Sequence, residues 1–432
     1  MEGEYRYSRF AGLMRWRVGA RHDNKKMDIL RFITAGSVDD GKSTLIGRLL
    51  YDTNNLKADV LESVSANAAI NLAHITDGLR AERQEGITID VAYKYFTTPN
   101  RKYIITDAPG HFQYTKNLVT GASNVDAIII LIDARNGITA QTRRHSLVAS
   151  FLRIKQVVVA INKMDMMGYD EAIFKVIKNE YLQIAEKLQL PDVNFIPVSA
   201  LEGDNISFRS GNMPWYDGVT LFEYLEKCEG KENAVNAEMR FSVQYVRDNA
   251  VYGKMISGTL KSGDVLLVNP QGERLVADKI LHGYDEVLEA VAGQNICLFV
   301  NGDVKRGDIL TRELNTLQCG QEIEAELCCL DTQNALQAGK DYLLRIGTAE
   351  TICKVKEIIC KTDNDTFETY KSEEPVSVNE FARVKIKMKD KIAFDCRRVL
   401  QGQRHRPGQA ETGRGIIIDP ETNNTSGAFI IL

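Results

Sequence analysis

The sequence predicts an α/β domain with a parallel-type sheet, followed by two all-β barrel domains. Three observations carry that prediction. From Ile29 onward, apolar strand-like runs alternate with glycine-rich turns and amphipathic helical stretches, the pattern of a parallel sheet covered on both faces. The first of those turns, residues 36–43, sits between a strand-like run and a helical one and reads G-x-x-x-x-G-K-S. Past about Lys231 the helical spacing fades, and short β-branched runs divided by glycine turns take over.

Taken in order, residues 1–26 form a basic tail. Arg6, Arg9, Arg15, Arg17, Arg21, Lys25 and Lys26 outnumber Glu2, Glu4 and Asp23. The tail lacks an apolar core of secretory length, and Met27 stands directly before the first strand, so a disordered tail or a start set too early is expected. The α/β domain spans 27–231, with strands expected at 29–35, 103–106, 127–132, 157–161 and 194–198. Helices are expected at 44–50, 142–152 and 169–188. One barrel is expected over 236–312 and a second over 320–432, the latter interrupted by a polar loop at 401–414 that carries Arg404, His405 and Arg406.

Composition excludes several classes. The 432 residues are 44% hydrophobic and 26% charged, ordinary for a soluble globular chain of about three domains. A net charge of -4 argues against a protein whose main task is wrapping nucleic acid. Apolar runs fall short of the ~18 residues that a membrane-spanning helix needs. All eight cysteines follow residue 227, none form C-x-x-C, and Cys328 and Cys329 are adjacent. They read as reduced thiols in a cytoplasmic protein.

The chemistry begins at the loop Gly36, Ser37, Val38, Asp39, Asp40, Gly41, Lys42, Ser43, with Thr44 opening the helix. Its glycines let successive N–H groups curl around phosphate oxygens. Lys42 supplies a cation for the β- and γ-phosphates, the Ser43 hydroxyl a ligand for Mg²⁺, and the helix its positive end. Asp107, Ala108, Pro109 and Gly110 end the next motif strand. The Asp107 carboxylate can hold Mg²⁺ through water, and the Gly110 N–H can sense a γ-phosphate. Asn162, Lys163 and Asp165 follow another strand. Asp165 can accept from guanine N1–H and the 2-amino group, a donor pair that adenine lacks. Ser199, Ala200 and Leu201 can give a backbone N–H to guanine O6. The glycine-hinged stretch 77–88 lies where a switch belongs, and its Thr88 is a second hydroxyl for Mg²⁺. GTP and Mg²⁺ are therefore the expected ligands.

Together these residues resemble the translational GTPases typified by elongation factor Tu, over about residues 27–432. Within that family, residues 35–50, 77–93, 107–117 and the run Met213-Pro214-Trp215-Tyr216-Asp217-Gly218 are similar to the large, GTP-hydrolysing subunits of bacterial sulfate adenylyltransferases. The resemblance implies a P-loop GTPase domain, and a nucleotidyltransferase whose small partner subunit binds ATP and sulfate. That partner would make adenosine 5′-phosphosulfate and pyrophosphate, driven by GTP hydrolysis. It also matches His111 to the histidine that positions attacking water. Elongation factors usually carry histidine where Asp40 stands, threonine where Ser43 stands and threonine where Ala108 stands. Residues 247–252 look shortened and 401–411 inserted. The alternative is a translation factor acting with RNA and ribosomes. The basic 397–414 loop argues for it, while the acidic balance and Asp40 argue against it. Neither nucleic acid nor membrane is an expected partner.

Overall fold

The computed structural model describes residues 28–55, 72, 91–109, 115–229, 231–315, 317–396 and 409–432. The basic tail, the stretch 77–88 with Thr88, Gly110, His111 and residues 401–408 lie outside them.

The first domain is built on a six-stranded sheet. Its strands are β1 Asp28–Ala35, β2 Ala92–Thr97, β3 Arg101–Asp107, β4 Ala127–Asp133, β5 Gln156–Asn162 and β6 Val193–Pro197. Their order is β2-β3-β1-β4-β5-β6. All neighbours are parallel except β2, which pairs antiparallel with β3. β4 reads AIIILID with every residue buried, as a central strand covered on both faces requires. β2 is the strand that periodicity did not reveal. At the sheet edge its burial alternates, but Tyr93 and Tyr95 fall on the exposed face and Lys94 on the covered one with Phe96, so apolar and polar residues do not mark the faces.

Among the described residues five helices accompany these strands: α1 Lys42–Asp52, α2 Thr115–Ala122, α3 Ala140–Phe151, α4 Glu171–Lys187 and α5 Leu221–Lys227. Their starts are chemically marked. Thr139 and Thr142 form a reciprocal capping box on α3, Thr220 and Glu223 do so on α5, and the Asp170 carboxylate accepts from the Ala172 N–H on α4. The parallel strands deliver the loops that follow them to one edge of the sheet, the one at their carboxyl ends, where open α/β folds bind ligands.

Two barrels follow. In the first, Val265–Asn269, Ile309–Thr311, Arg240–Arg247, Ala250–Ser257, Asn295–Val300 and Glu273–His282 pair in that order, and the last strand closes on the first. In the second, the ring runs Asp341–Ile346, Arg414–Ile418, Thr425–Ile431, Gln318–Cys329, Phe381–Phe394 and Ala349–Thr362, closing likewise. Closure removes the exposed sheet edges.

Specific contacts join the three parts. Phe151 at the end of α3 meets Phe381 edge-on, with ring centroids 5.3 Å apart. Arg414 donates to the Ser123 and Leu152 carbonyls, at the C-terminal ends of α2 and α3, where a cation complements the helix dipoles. Between the barrels, Arg240 and Asp395 form an ion pair at 3.2 Å with both side chains almost fully buried. The Thr412 hydroxyl adds a hydrogen bond to Asp395. Among the described residues no helix is long and apolar enough to cross a membrane.

Candidate nucleotide site

The loop between β1 and α1 is shaped by two left-handed residues, Asp39 at φ 68° and Gly41 at φ 95°. A side chain at Gly41 would be doubly excluded, since a Cβ there would lie 2.5 Å from Asn162 Nδ2. The Asp40 carboxylate turns back and accepts from the Ser37 N–H at 2.5 Å. That N–H is thereby engaged within the loop, as is the Asp40 N–H, which donates to the Ser37 carbonyl at 3.3 Å, leaving the other donors along the loop and at the start of α1 for an anion. The Ser37 hydroxyl meets that of Thr139 at 2.9 Å, which ties the loop to the capped start of α3.

Lys42 Nζ donates to the Gly36 and Ser37 carbonyls at 2.9 and 2.7 Å. Burial pushes its ammonium below the usual lysine range, and the charges of Asp107, Asp40 and Asp39 oppose that shift. An ammonium has three donors, so one remains beyond the two carbonyls. Asp107 is buried at the end of β3, where its carboxylate accepts from Thr34 Oγ1 at 3.4 Å. Burial raises the Asp40 carboxyl, while Lys42 holds it back.

Asn162, at the end of β5, makes the central link. Its Nδ2 donates to the Asp40 carbonyl at 2.8 Å, and its Oδ1 accepts from the Ala200 N–H at 2.9 Å. The following Lys163 is left-handed at φ 62°. Its ammonium donates to the Asp39 carbonyl and pairs with Asp133 at 3.0 Å. Burial would raise the Asp133 carboxyl, but hydrogen bonds from Arg135 and Lys163 hold it at about 2. The Asp165 carboxylate accepts no hydrogen bond from any described residue. Among Ser199, Ala200 and Leu201, the first two N–H groups reach Asp204 and Asn162, whereas that of Leu201 has no protein acceptor among the described residues.

The structure thus gathers 36–44, Asp107, Ala108 and Pro109, Asn162 with Lys163 and Asp165, and 199–201 at one edge of the sheet. Sequence reading missed the bracing residues Asp133, Arg135, Thr139 and Arg48. A carboxylate ending β4 two residues before an arginine was the only local signal for the first pair. The Met213–Gly218 run lies under this edge as packing: Trp215 Nε1 donates to the Tyr169 carbonyl at 2.9 Å, and Tyr216 packs on Phe174.

The arrangement fits a Mg²⁺-bound guanine nucleotide. Curled N–H groups and a lysine would face phosphates, and Asp165, which accepts no hydrogen bond from a described residue, would face the base. Among the described residues no cluster of three or more His, Cys, Asp or Glu side chains forms a metal cage. Mg²⁺ fits here through phosphates, a hydroxyl and water, its usual mode with nucleotides.

Comparison with known proteins agrees. The family model described as elongation factor Tu GTP binding domain matches residues 27–291, and that of the GTP-eEF1A C-terminal domain-like family matches 322–432. Sulfate adenylyltransferase subunit 1 of Francisella tularensis subsp. tularensis (strain WY96-3418) is 42% identical, covering 94% of this chain and 87% of that protein. The bifunctional enzyme CysN/CysC of Mycobacterium tuberculosis (strain CDC 1551 / Oshkosh) is 40% identical over 94% of this chain and 67% of its own length. Among solved structures, the S. cerevisiae Ski7 GTPase-like domain, bound to GTP, is 17% identical with a TM-score of 0.52. It covers 94% of this chain and 97% of that one, a likeness of fold alone. The sequence relatives favour the sulfate-activating reading over the translation-factor alternative. The chain belongs to the family of sulfate adenylyltransferase subunit 1, within the GTPases that share the elongation factor Tu GTP-binding domain.

Proposed function

We propose that the chain binds GTP with Mg²⁺ at the sheet edge and hydrolyses it to drive a separate small subunit. That subunit, in the cytoplasm, would convert ATP and sulfate to adenosine 5′-phosphosulfate and pyrophosphate. The carrying observation is Asn162, which joins the phosphate loop through Asp40 to the base-recognition turn through Ala200. Both ends of a nucleotide are thereby held on one rigid frame.

In this reading the N–H groups of 38–44 and Lys42 bind the phosphates, and Asp165 accepts from the guanine edge. Ser43, Thr88 and, through water, Asp107 would hold Mg²⁺, which supplies charge neutralisation at the phosphates. His111 would orient the attacking water, whose oxygen bonds to the γ-phosphorus as the bridge to GDP breaks. Domain limits of 27–231, 236–312 and 320–432 belong to the same proposal. The test is co-expression with a sulfurylase small subunit. Co-elution, with GDP bound in preference to ADP, is expected. A chain that stays alone and binds both equally overturns the reading.

A further inference from the structure

Arg48 lies on α1, six residues past Lys42, and its side chain leaves that helix for the base-recognition turn. Nη1 donates to the Leu201 carbonyl at 3.3 Å. Nε pairs with Asp52, one turn along the helix, at 2.9 Å. Asp52 is buried, with only 4% of its side chain exposed, and this carboxylate, hydrogen-bonded also by Ser207, orients the guanidinium. The guanidinium packs against Gly203, left-handed at φ 88°. A Cβ added at Gly203 would fall within its Nη2, Cζ and Nε atoms.

The turn that Arg48 supports is otherwise closed by short-range bonds. The Gly203 N–H donates to the Ser199 carbonyl at 2.7 Å, and the Glu202 N–H to Ser199 Oγ at 3.2 Å. Asn162 anchors it at Ala200. Leu201 is half exposed, and Arg48 is the described side chain that holds its carbonyl. Asn162 at the Ala200 N–H and Arg48 at the Leu201 carbonyl thus hold the turn on both sides of the peptide that carries the Leu201 N–H, a donor with no acceptor among the described residues.

We propose that Arg48 is a specificity-determining positioning residue, which locks the 199–203 turn to the phosphate-binding helix so that its backbone donor meets the base at O6. The inference rests on the guanine-nucleotide reading of this site. Arg48 touches no nucleotide itself; it sets where the donor stands. Its loss is therefore felt by bases that carry an oxygen at position 6 and hardly by those that do not.

The test compares GDP, IDP (which keeps O6 but lacks the 2-amino group) and 2-aminopurine riboside diphosphate (which keeps the amino group but lacks O6). Affinities are measured on the full chain by fluorescence competition. Arg48→Ala should weaken GDP and IDP by about 5- to 20-fold, and the 2-aminopurine nucleotide by less than about 2-fold. Arg48→Lys keeps the pairing with Asp52 but loses the fork, and should fall between. Gly203→Ala, which displaces the guanidinium with Arg48 still present, should give the same base-selective pattern if Arg48→Ala folds poorly. Equal losses for all three nucleotides, or no loss for GDP, would overturn the role of Arg48. A wild-type chain that holds ADP as tightly as GDP would instead overturn the guanine reading beneath it.

Discussion

Asn162 and Asp40 stand 122 residues apart in the chain, yet the Asn162 amide donates to the Asp40 carbonyl at 2.8 Å. The same amide accepts from Ala200 on its other side. One buried side chain thus bridges the loop before α1 and the turn after β6.

Asn162→Ala would orphan a buried carbonyl and a buried N–H, each costing about 1–3 kcal/mol. GDP affinity should fall by about 10- to 100-fold, together with the melting temperature. Titration calorimetry that finds GDP affinity within twofold of wild type would remove Asn162 from its bridging role.

Asp165→Asn should exchange guanine for xanthine. The carboxylate matches two donors on guanine, and the amide matches the oxygen that xanthine carries in place of the amino group. GDP should weaken by roughly 100-fold or more, while xanthosine diphosphate improves. A variant that still prefers guanine would contradict the assignment.

Lys42→Ala removes the cation at the phosphates and leaves the Gly36 and Ser37 carbonyls without their donor. It should cost roughly 100-fold or more in GDP and GTP affinity alike. Thr88→Ala should spare GDP, because its contact is expected only with a γ-phosphate present. Equal damage to GDP binding by the two variants would show that 77–88 is not a switch.

His145 on α3 offers a pH test. Burial, with the charges of Lys42 and Arg144 adding to it, pushes this imidazole down to about 3, and its Nδ1 has no hydrogen-bond partner among the described residues. Between about 3 and the ordinary value of 6.5, the unfolded chain binds the proton and the folded one does not. Stability from this group is therefore lost as pH falls through 6.5. About 2 kcal/mol should be gone at pH 5. Denaturant unfolding at pH 7.5 and pH 5 should show a smaller difference in His145→Gln than in the wild type. An identical difference would mean that other groups govern acid sensitivity.

Much of this site is legible in the sequence because each part is local. The G-x-x-x-x-G-K-S loop needs only its own glycines and lysine, and the ends of β3 and β5 are marked by apolar runs that stop at Asp107 and Asn162. What stays hidden is the bracing between parts. Ser37 with Thr139 and Arg48 with Leu201 are separated by 102 and 153 residues. Those contacts depend on how α1 and α3 dock on the sheet, which no local spacing encodes. β2 escaped for a different reason. As an edge strand it puts both tyrosines on the exposed face, so an apolar/polar reading does not reveal its alternation, and its antiparallel pairing with β3 makes the sheet mixed rather than wholly parallel.

In the proposed function, GTP hydrolysis on this chain drives adenylylsulfate synthesis on a small partner subunit. The direct measurement is paired: phosphate released from GTP, and adenylylsulfate formed from ATP and sulfate, in one mixture of chain and small subunit. Adenylylsulfate should accumulate with GTP and fail to do so with a non-hydrolysable analogue. His111→Ala should lower both products together while GDP binding survives. Adenylylsulfate formation that proceeds undiminished without GTP would contradict the account.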